Sequence, residues 1–207
     1  MSVHRISKFI SSKISRELSL PSDKQEIIEY GTIGLISELL SMFSILVTAL
    51  IFNMVFEAAI ITFCSAFLRK YSGGAHCSSP LRCALLGAVV VPVLVLLGRL
   101  VGTLDFVTLI AIIVFINLIC ITIFSIYSPV DSPSKPIKNI HKRKILRLKA
   151  VTLSVVLFLT SALLLYLNFG QVSALITMGM SNQALTLTKP GHVGIKFFDK
   201  LLSIVNI

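Results

Sequence analysis

Charge is scarce in this sequence. Of 207 residues only 14% are charged, 55% are hydrophobic, and the mean hydropathy is +0.92. A soluble domain of this length needs more polar surface than that, so a water-exposed globular fold is excluded. Acidic residues are the scarcer kind, nine against 19 Lys and Arg. In a soluble chain such an excess would suggest nucleic acid. Here the cations fall between apolar runs, so no nucleic-acid partner is expected, and membrane lipid is the expected counter-surface. Cysteine is sparse too. Cys64 and Cys120 lie inside apolar runs, where cysteine behaves as a small hydrophobe, and no disulfide framework is legible. No internal repeat is visible, which removes the usual sequence support for an inverted-repeat transporter. Residues 1–20 carry too much charge for a signal-peptide core, so the chain is expected to keep its first residues.

What the sequence does contain is a series of apolar runs near the length that crosses a bilayer. Six spans are expected: Gly31–Phe52, Asn53–Leu68, Ala84–Leu104, Phe106–Tyr127, Ala150–Leu167 and Val172–Leu187. The second and sixth are short. The sixth, with Ser181, Asn182 and Gln183, is the least apolar and could be tilted or re-entrant. The fold class is therefore an all-α integral membrane protein, a single polytopic domain over 1–207. Ahead of the bundle, Val3, Ile6, Phe9, Ile10, Ile14 and Leu18 recur at helical spacing with Arg5, Lys8, Lys13 and Arg16 between them. That pattern is a basic amphipathic helix lying on a membrane surface, ended by Pro21. Ser22 and Gln25 have the spacing of a capping box for the next helix. Ile195, Phe198, Leu201, Leu202 and Val205 suggest a second surface helix in the C-terminal segment 188–207.

Placing the N-terminus in the cytoplasm puts segments 1–30, 69–83, 128–149 and 188–207 on one side. They hold five, three, seven and three Lys or Arg residues, leaving only Arg99, which can snorkel at the outer end of its span. Segment 128–149 opens with Pro129, Pro133 and Pro136 and turns basic at Lys142, Arg143, Lys144, Arg147 and Lys149. It reads as a topology anchor, with docking of an acidic peptide or lipid as the sharper alternative.

The chemistry concentrates in Arg69–Cys83, between the second and third spans. Gly73-Gly74 and Pro80 break any continuous helix and allow the segment to fold back, bringing His76 towards Cys83. A cysteine nucleophile needs thiolate character and a base. His76 can supply the base, Arg69, Lys70 and Arg82 favour the thiolate, and a glycine turn can offer N–H groups to an oxyanion. Two alternatives share these residues. His76, Cys77 and Cys83 could ligate a metal, although no second Cys/His cluster accompanies them. Cys77 could be the nucleophile, but it adjoins His76 and adjacent side chains diverge, so Cys83 is preferred.

Arg69, Gly73-Gly74, His76 and Cys83, with Glu29-Tyr30-Gly31 opening the first span and a length near 200 residues, resemble the accessory gene regulator protein B family of bacterial quorum sensing. The resemblance runs over essentially the whole chain, and the Arg…Gly-Gly-x-His…Cys loop is its specific part. It implies a cysteine endopeptidase of the bacterial cell membrane that cuts a precursor peptide and closes part of it into a thiolactone-bearing autoinducing peptide. On that resemblance Cys83 is the nucleophile, His76 the general base, and Arg69, Gly73 and Gly74 support them. It also implies a homodimer and no cofactor or metal. No carboxylate lies in the loop to orient His76; Glu38, inside the first span, is a candidate, with pairing to a cation or water as the alternative. A peptide transporter or a non-catalytic membrane scaffold are the rival readings.

Overall fold

The computed structural model describes residues 3–131, 137 and 139–204. Pro133, Pro136 and Val205 lie outside the described residues. Helix accounts for 85% of the described residues. In chain order the elements are α1 (Val3–Glu17), α2 (Ser22–Ile51), α3 (Val55–Ser72), α4 (Pro80–Gly102), α5 (Phe106–Tyr127), α6 (Ile140–Tyr166), α7 (Gly170–Leu185) and α8 (Lys189–Ile204). The all-α membrane architecture expected from hydropathy is the one observed. Four helices, α2, α4, α5 and α6, are long and apolar enough to cross a membrane on their own. The helices α3 and α7 complete the bundle, so the count of about six stands as an approximate one. Both surface helices are present as α1 and α8.

The short helix α7 is the axis of the bundle. It packs against α3, α4, α5 and α6, and buries an unbroken run from Ser173 to Met180 together with Gln183 and Ala184. Its modest hydropathy has a physical reason. A lipid-facing helix must be apolar, whereas a helix surrounded by protein needs small residues that let backbones approach. A methyl group at Gly179 would lie 2.8 Å from Cys64 Cβ and 3.0 Å from the Ile61 carbonyl oxygen, and the Ser65 hydroxyl donates to the Gly179 carbonyl at 2.9 Å. Polar side chains then bond across helices: Asn117 of α5 donates to Thr177 Oγ1 at 2.9 Å, and the hydroxyls of Ser161 on α6 and Ser173 on α7 meet at 2.8 Å. By contrast α2 leans mainly on α4 and α1 and leaves Leu35, Leu39, Phe43 and Leu50 exposed, as suits a helix at the lipid boundary.

Two local expectations are corrected. Ser22 and Gln25 form no capping box: Pro21 stands at the cap, no side chain bonds the first turn, and the Ser22 hydroxyl donates to Asp23 instead. Arg99 does not reach outward alone. Its Nε donates to Glu57 Oε1 at 3.0 Å and its Nη2 to the Asn53 carbonyl at 3.3 Å, joining α4 to the start of α3. A carboxylate 42 residues away in sequence offers the cation a nearer partner than bulk water. At the opposite end of the bundle, Asn139 caps α6 and the basic run Lys142–Lys149 is its first turns. Two of its cations are committed within the fold: Arg143 pairs with Asp131 at 3.1 Å, and Arg147 Nε donates to the Ser128 carbonyl at 2.7 Å.

Candidate active site

The segment 73–79 joins α3 to α4, and each end follows from its sequence. Gly73 terminates α3 with φ +67°, and Pro80 occupies the first turn of α4, where its missing N–H costs nothing. Three elements hold the turn between them. Val130, just beyond α5, donates its N–H to the Ser72 carbonyl at 2.8 Å and pairs with Gly73 as an isolated parallel bridge. Gln183 on α7 donates to the Ser72 hydroxyl at 2.9 Å and to the Gly73 carbonyl at 2.7 Å. Ala75 N–H donates to the Thr186 carbonyl at 3.1 Å.

The two glycines are therefore not equivalent. A Cβ on Gly73 would sit 2.2 Å from the Val130 carbonyl oxygen, a backbone atom, at a φ that L residues rarely adopt. On Gly74, at φ +135°, it would meet the Thr186 hydroxyl at 2.6 Å, a side chain that can rotate. Gly73→Ala is expected to destabilise by about 3 kcal/mol and to exceed the cost of Gly74→Ala by at least about 1 kcal/mol. Thermal melting of the two detergent-purified variants checks the order; equal midpoints would refute the backbone clash.

The reactive residues gather as the sequence predicts. Arg69, in the last turn of α3, donates from Nη2 to the Ala75 carbonyl at 2.6 Å and to His76 Nδ1 at 2.9 Å. A guanidinium only donates, so Nδ1 must accept, and the neutral ring carries its proton on Nε2. His76 and Cys83 are within hydrogen-bonding reach, and Cys77 bonds Cys83 as well. Cys83 lies in the first turn of α4, ahead of the apolar stretch that begins at Ala84, and is half-buried. The hydrogen bond from Cys77 holds the Cys83 thiol well below the ordinary cysteine range. Burial opposes that shift, while the bond from His76 and the charge of Arg69 reinforce it. Cys77 is pushed the other way, first by donating to Cys83, then by burial, by the negative charge of Cys83 and by Asp199.

These groups stand on a cavity of about 620 Å³ that runs from the 73–79 turn into the bundle. Its walls come from α2, α3, α4 and α7, with α1 and α8 at the side. Besides Arg69, His76, Cys77 and Cys83, its polar lining includes Ser37, Glu38 and Ser41 of α2, Ser65 of α3 and Asn182 of α7. Glu38 is near enough to Arg69 for their charges to interact, and it lines the same cavity as His76. Two polar atoms on this lining, Arg69 Nε and Thr62 Oγ1, are buried and bond no described residue. Among the described residues no three His, Cys, Asp or Glu side chains converge as a metal ion would require.

Sequence reasoning did not pick out Gln183, Thr186, Ser78 or Asp199. Gln183 left a trace, since the polar run 181–183 weakened the last span; buried polar groups in a bundle need partners, and here the partner is the glycine turn.

The fold and site together define a polytopic membrane protein with a histidine, an arginine and two cysteines on one cavity of its helix bundle. The family model for accessory gene regulator B matches residues 7–187. An AgrB-like protein of Clostridium perfringens strain SM101 (Type A) is 37% identical, over 95% of this chain and 96% of its own length. Two more, AgrB-like proteins 2 and 1 of Clostridium perfringens strain 13 (Type A), are 36% identical over 95% and 96%, and 29% identical over 87% and 94%. No solved structure matches. The chain belongs to the accessory gene regulator B family, and with it to the membrane proteins that process quorum-sensing peptides.

Proposed function

We propose that this protein is a cysteine endopeptidase that cuts a precursor peptide through a Cys83 acyl-enzyme and releases part of it as a thiolactone. The observation that carries the reading is the placement of Cys83, which shares the wall of a cavity of about 620 Å³ with His76, Cys77 and Arg69.

The thiolate of Cys83 attacks the scissile carbonyl carbon. The C–S bond forms, and the carbonyl π electrons move to oxygen. Arg69 Nε–H, buried and bonded to no described residue, is the donor we assign to that oxyanion once the seated peptide displaces the side chains covering it. The C–N bond then breaks, and the departing nitrogen takes a proton relayed through His76 and replaced from water. A thioester to Cys83 remains. A cysteine thiol within the bound peptide gives its proton to the hydroxide left by that water, attacks the thioester and expels the Cys83 thiolate, which closes the ring. The second step exchanges one thioester for another and is nearly balanced. The first turns an amide into a thioester and is uphill, so product accumulates only when the C-terminal fragment leaves and water stays out of the acyl-enzyme. A cavity walled by helices serves the second requirement. The distribution of cations supports a cytoplasmic face for this end of the bundle, where the basic helices α1 and α8 would receive an amphipathic precursor with an acidic tail.

In vesicles holding the protein and a tagged precursor, mass spectrometry is expected to show a C-terminal fragment and a partner lighter by one water than its hydrolysed form. Adding the free C-terminal fragment at saturation is expected to suppress the ring-closed product severalfold. Uncut peptide throughout would return the permease or scaffold reading; cyclic product insensitive to the fragment would remove the reversible acyl-enzyme.

A further inference from the structure

The helix α8 lies beyond the residues that the family model matches, which end at 187. It nevertheless forms part of the cavity wall through Pro190, Gly191, Gly194 and Ile195. It also reaches the reactive turn. One carboxylate oxygen of Asp199 accepts from both the backbone N–H and the hydroxyl of Ser78, each at 3.1 Å. The same oxygen lies 3.5 Å from Arg82 Nη1, which also donates to the Ser78 hydroxyl at 3.1 Å. Ser78 follows Cys77 and Arg82 precedes Cys83. A single side chain, 121 residues away in sequence, thus grips both flanks of the cysteine pair.

We propose that Asp199 is a positioning residue of the thiol site: by fastening Ser78 and Arg82 to α8 it presents Cys83, and not Cys77, to the peptide. The inference rests on Cys83 being the reacting thiol.

The geometry supplies the reason. Between Cys77 and Cys83 stand Ser78, Ser79, Pro80, Leu81 and Arg82, and α4 begins at Pro80. Without an anchor at Ser78 the turn before α4 has no bond to α8, and the sulfur of Cys77 is free to trade places with that of Cys83. Asp199 also brings a negative charge to Cys77, which disfavours a thiolate there. The ionisable groups acting on the pair are Arg69 from α3, His76 from the segment itself and Asp199 from α8, with Glu38 of α2 acting on Arg69. Among them Asp199 is the one anion that acts on Cys77.

The test needs no precursor for its first readout. Membranes containing the full chain are treated briefly with N-ethylmaleimide at neutral pH, and the labelled cysteine is identified by mass spectrometry. The unaltered protein is expected to label at Cys83 before Cys77. Asp199→Ala is expected to raise the Cys77 to Cys83 labelling ratio about fivefold or more and to slow precursor processing on the order of tenfold, the scale of a misplaced reacting group. Asp199→Asn keeps an acceptor for Ser78 but loses the charge, so it should fall between; Asp199→Glu should restore most of the labelling order. Ser78→Ala, which leaves α8 and its charge intact, should shift the ratio in the same direction, and adding it to Asp199→Ala should change little further. An unaltered ratio with processing within about twofold in Asp199→Ala overturns the proposal. If that variant fails to accumulate, an unaltered ratio in both Ser78→Ala and Asp199→Asn overturns it equally. Failure of the Cys83 reading shows differently, as processing that survives Cys83→Ala.

Discussion

Replacing Cys83 with alanine is expected to leave the precursor uncut, a loss of at least ~10⁴-fold, because the remaining thiol, Cys77, is kept protonated by burial and by Asp199. Cys77→Ala is expected to keep about a tenth of the activity. The contrast follows from their opposite parts in one hydrogen bond. Cys77 gives its S–H to Cys83, so its removal takes away the first cause of the low Cys83 pKa and leaves the bond from His76 and the charge of Arg69. A thiol is a weak donor, which keeps the expected cost near the lower end for a bond to a charged group, about 1.5 kcal/mol. The two variants also differ in their pH response. In the unaltered protein Cys83 titrates below the ordinary thiol range, so its alkylation by iodoacetamide should hardly change as pH falls from 8 through 7. In Cys77→Ala the thiol pKa rises, less thiolate is present at a given pH, and the same fall in pH should slow alkylation visibly. Processing that persists in Cys83→Ala and disappears in Cys77→Ala would reverse the assignment. Identical pH profiles in the unaltered protein and Cys77→Ala would remove the coupling between the two sulfurs.

The loop was legible because its residue types are scarce elsewhere in the chain. Glycine pairs, histidine and paired cysteines are unusual against apolar runs, and Pro80 marks where the next helix starts. Hence His76, Cys83 and Arg69 could be placed together from spacing and family resemblance, and the structure brings them together. The helix α7 was the hardest element to see for the opposite reason. Hydropathy measures suitability for lipid, and a helix enclosed by four others has no lipid contact; Ser173, Thr177 and Gln183 lower its apolar score while making the bonds that hold the bundle and the glycine turn. The Ser22 and Gln25 pair shows the limit of local pattern, since a proline in the cap position and Asp23 beside the hydroxyl redirect the serine. Arg99 and Asp199 show the limit of distance. Each is decided by a partner far along the chain, Glu57 and the Ser78–Arg82 turn, and nothing in a run of neighbouring residues encodes that meeting.

The same long-range logic gives Arg69 a larger part than a general source of positive charge. Arg69→Ala is expected to slow processing by roughly 10²- to 10³-fold, the range for removing a preorganised donor at a developing charge. Three consequences arise from one side chain. Its Nη2 fixes the Ala75 carbonyl and the His76 ring, its charge favours the Cys83 thiolate, and its Nε is left for the substrate oxygen. The first two can be separated by experiment. Arg69→Lys keeps a charge but is one planar fork short, so it cannot hold Ala75 and His76 together while leaving a further donor for the oxyanion. It should therefore retain much of the thiol reactivity and recover little of the turnover. Arg69→Ala should lose both, with the acid limb of the Cys83 alkylation profile displaced to higher pH, because removing a neighbouring cation raises a thiol pKa. If lysine restores turnover as fully as it restores alkylation, charge alone explains Arg69, and the assignment of its Nε–H to the oxyanion fails. If neither variant changes the alkylation profile, the cation does not act on Cys83 at all, and the thiolate owes its stability to Cys77 and His76.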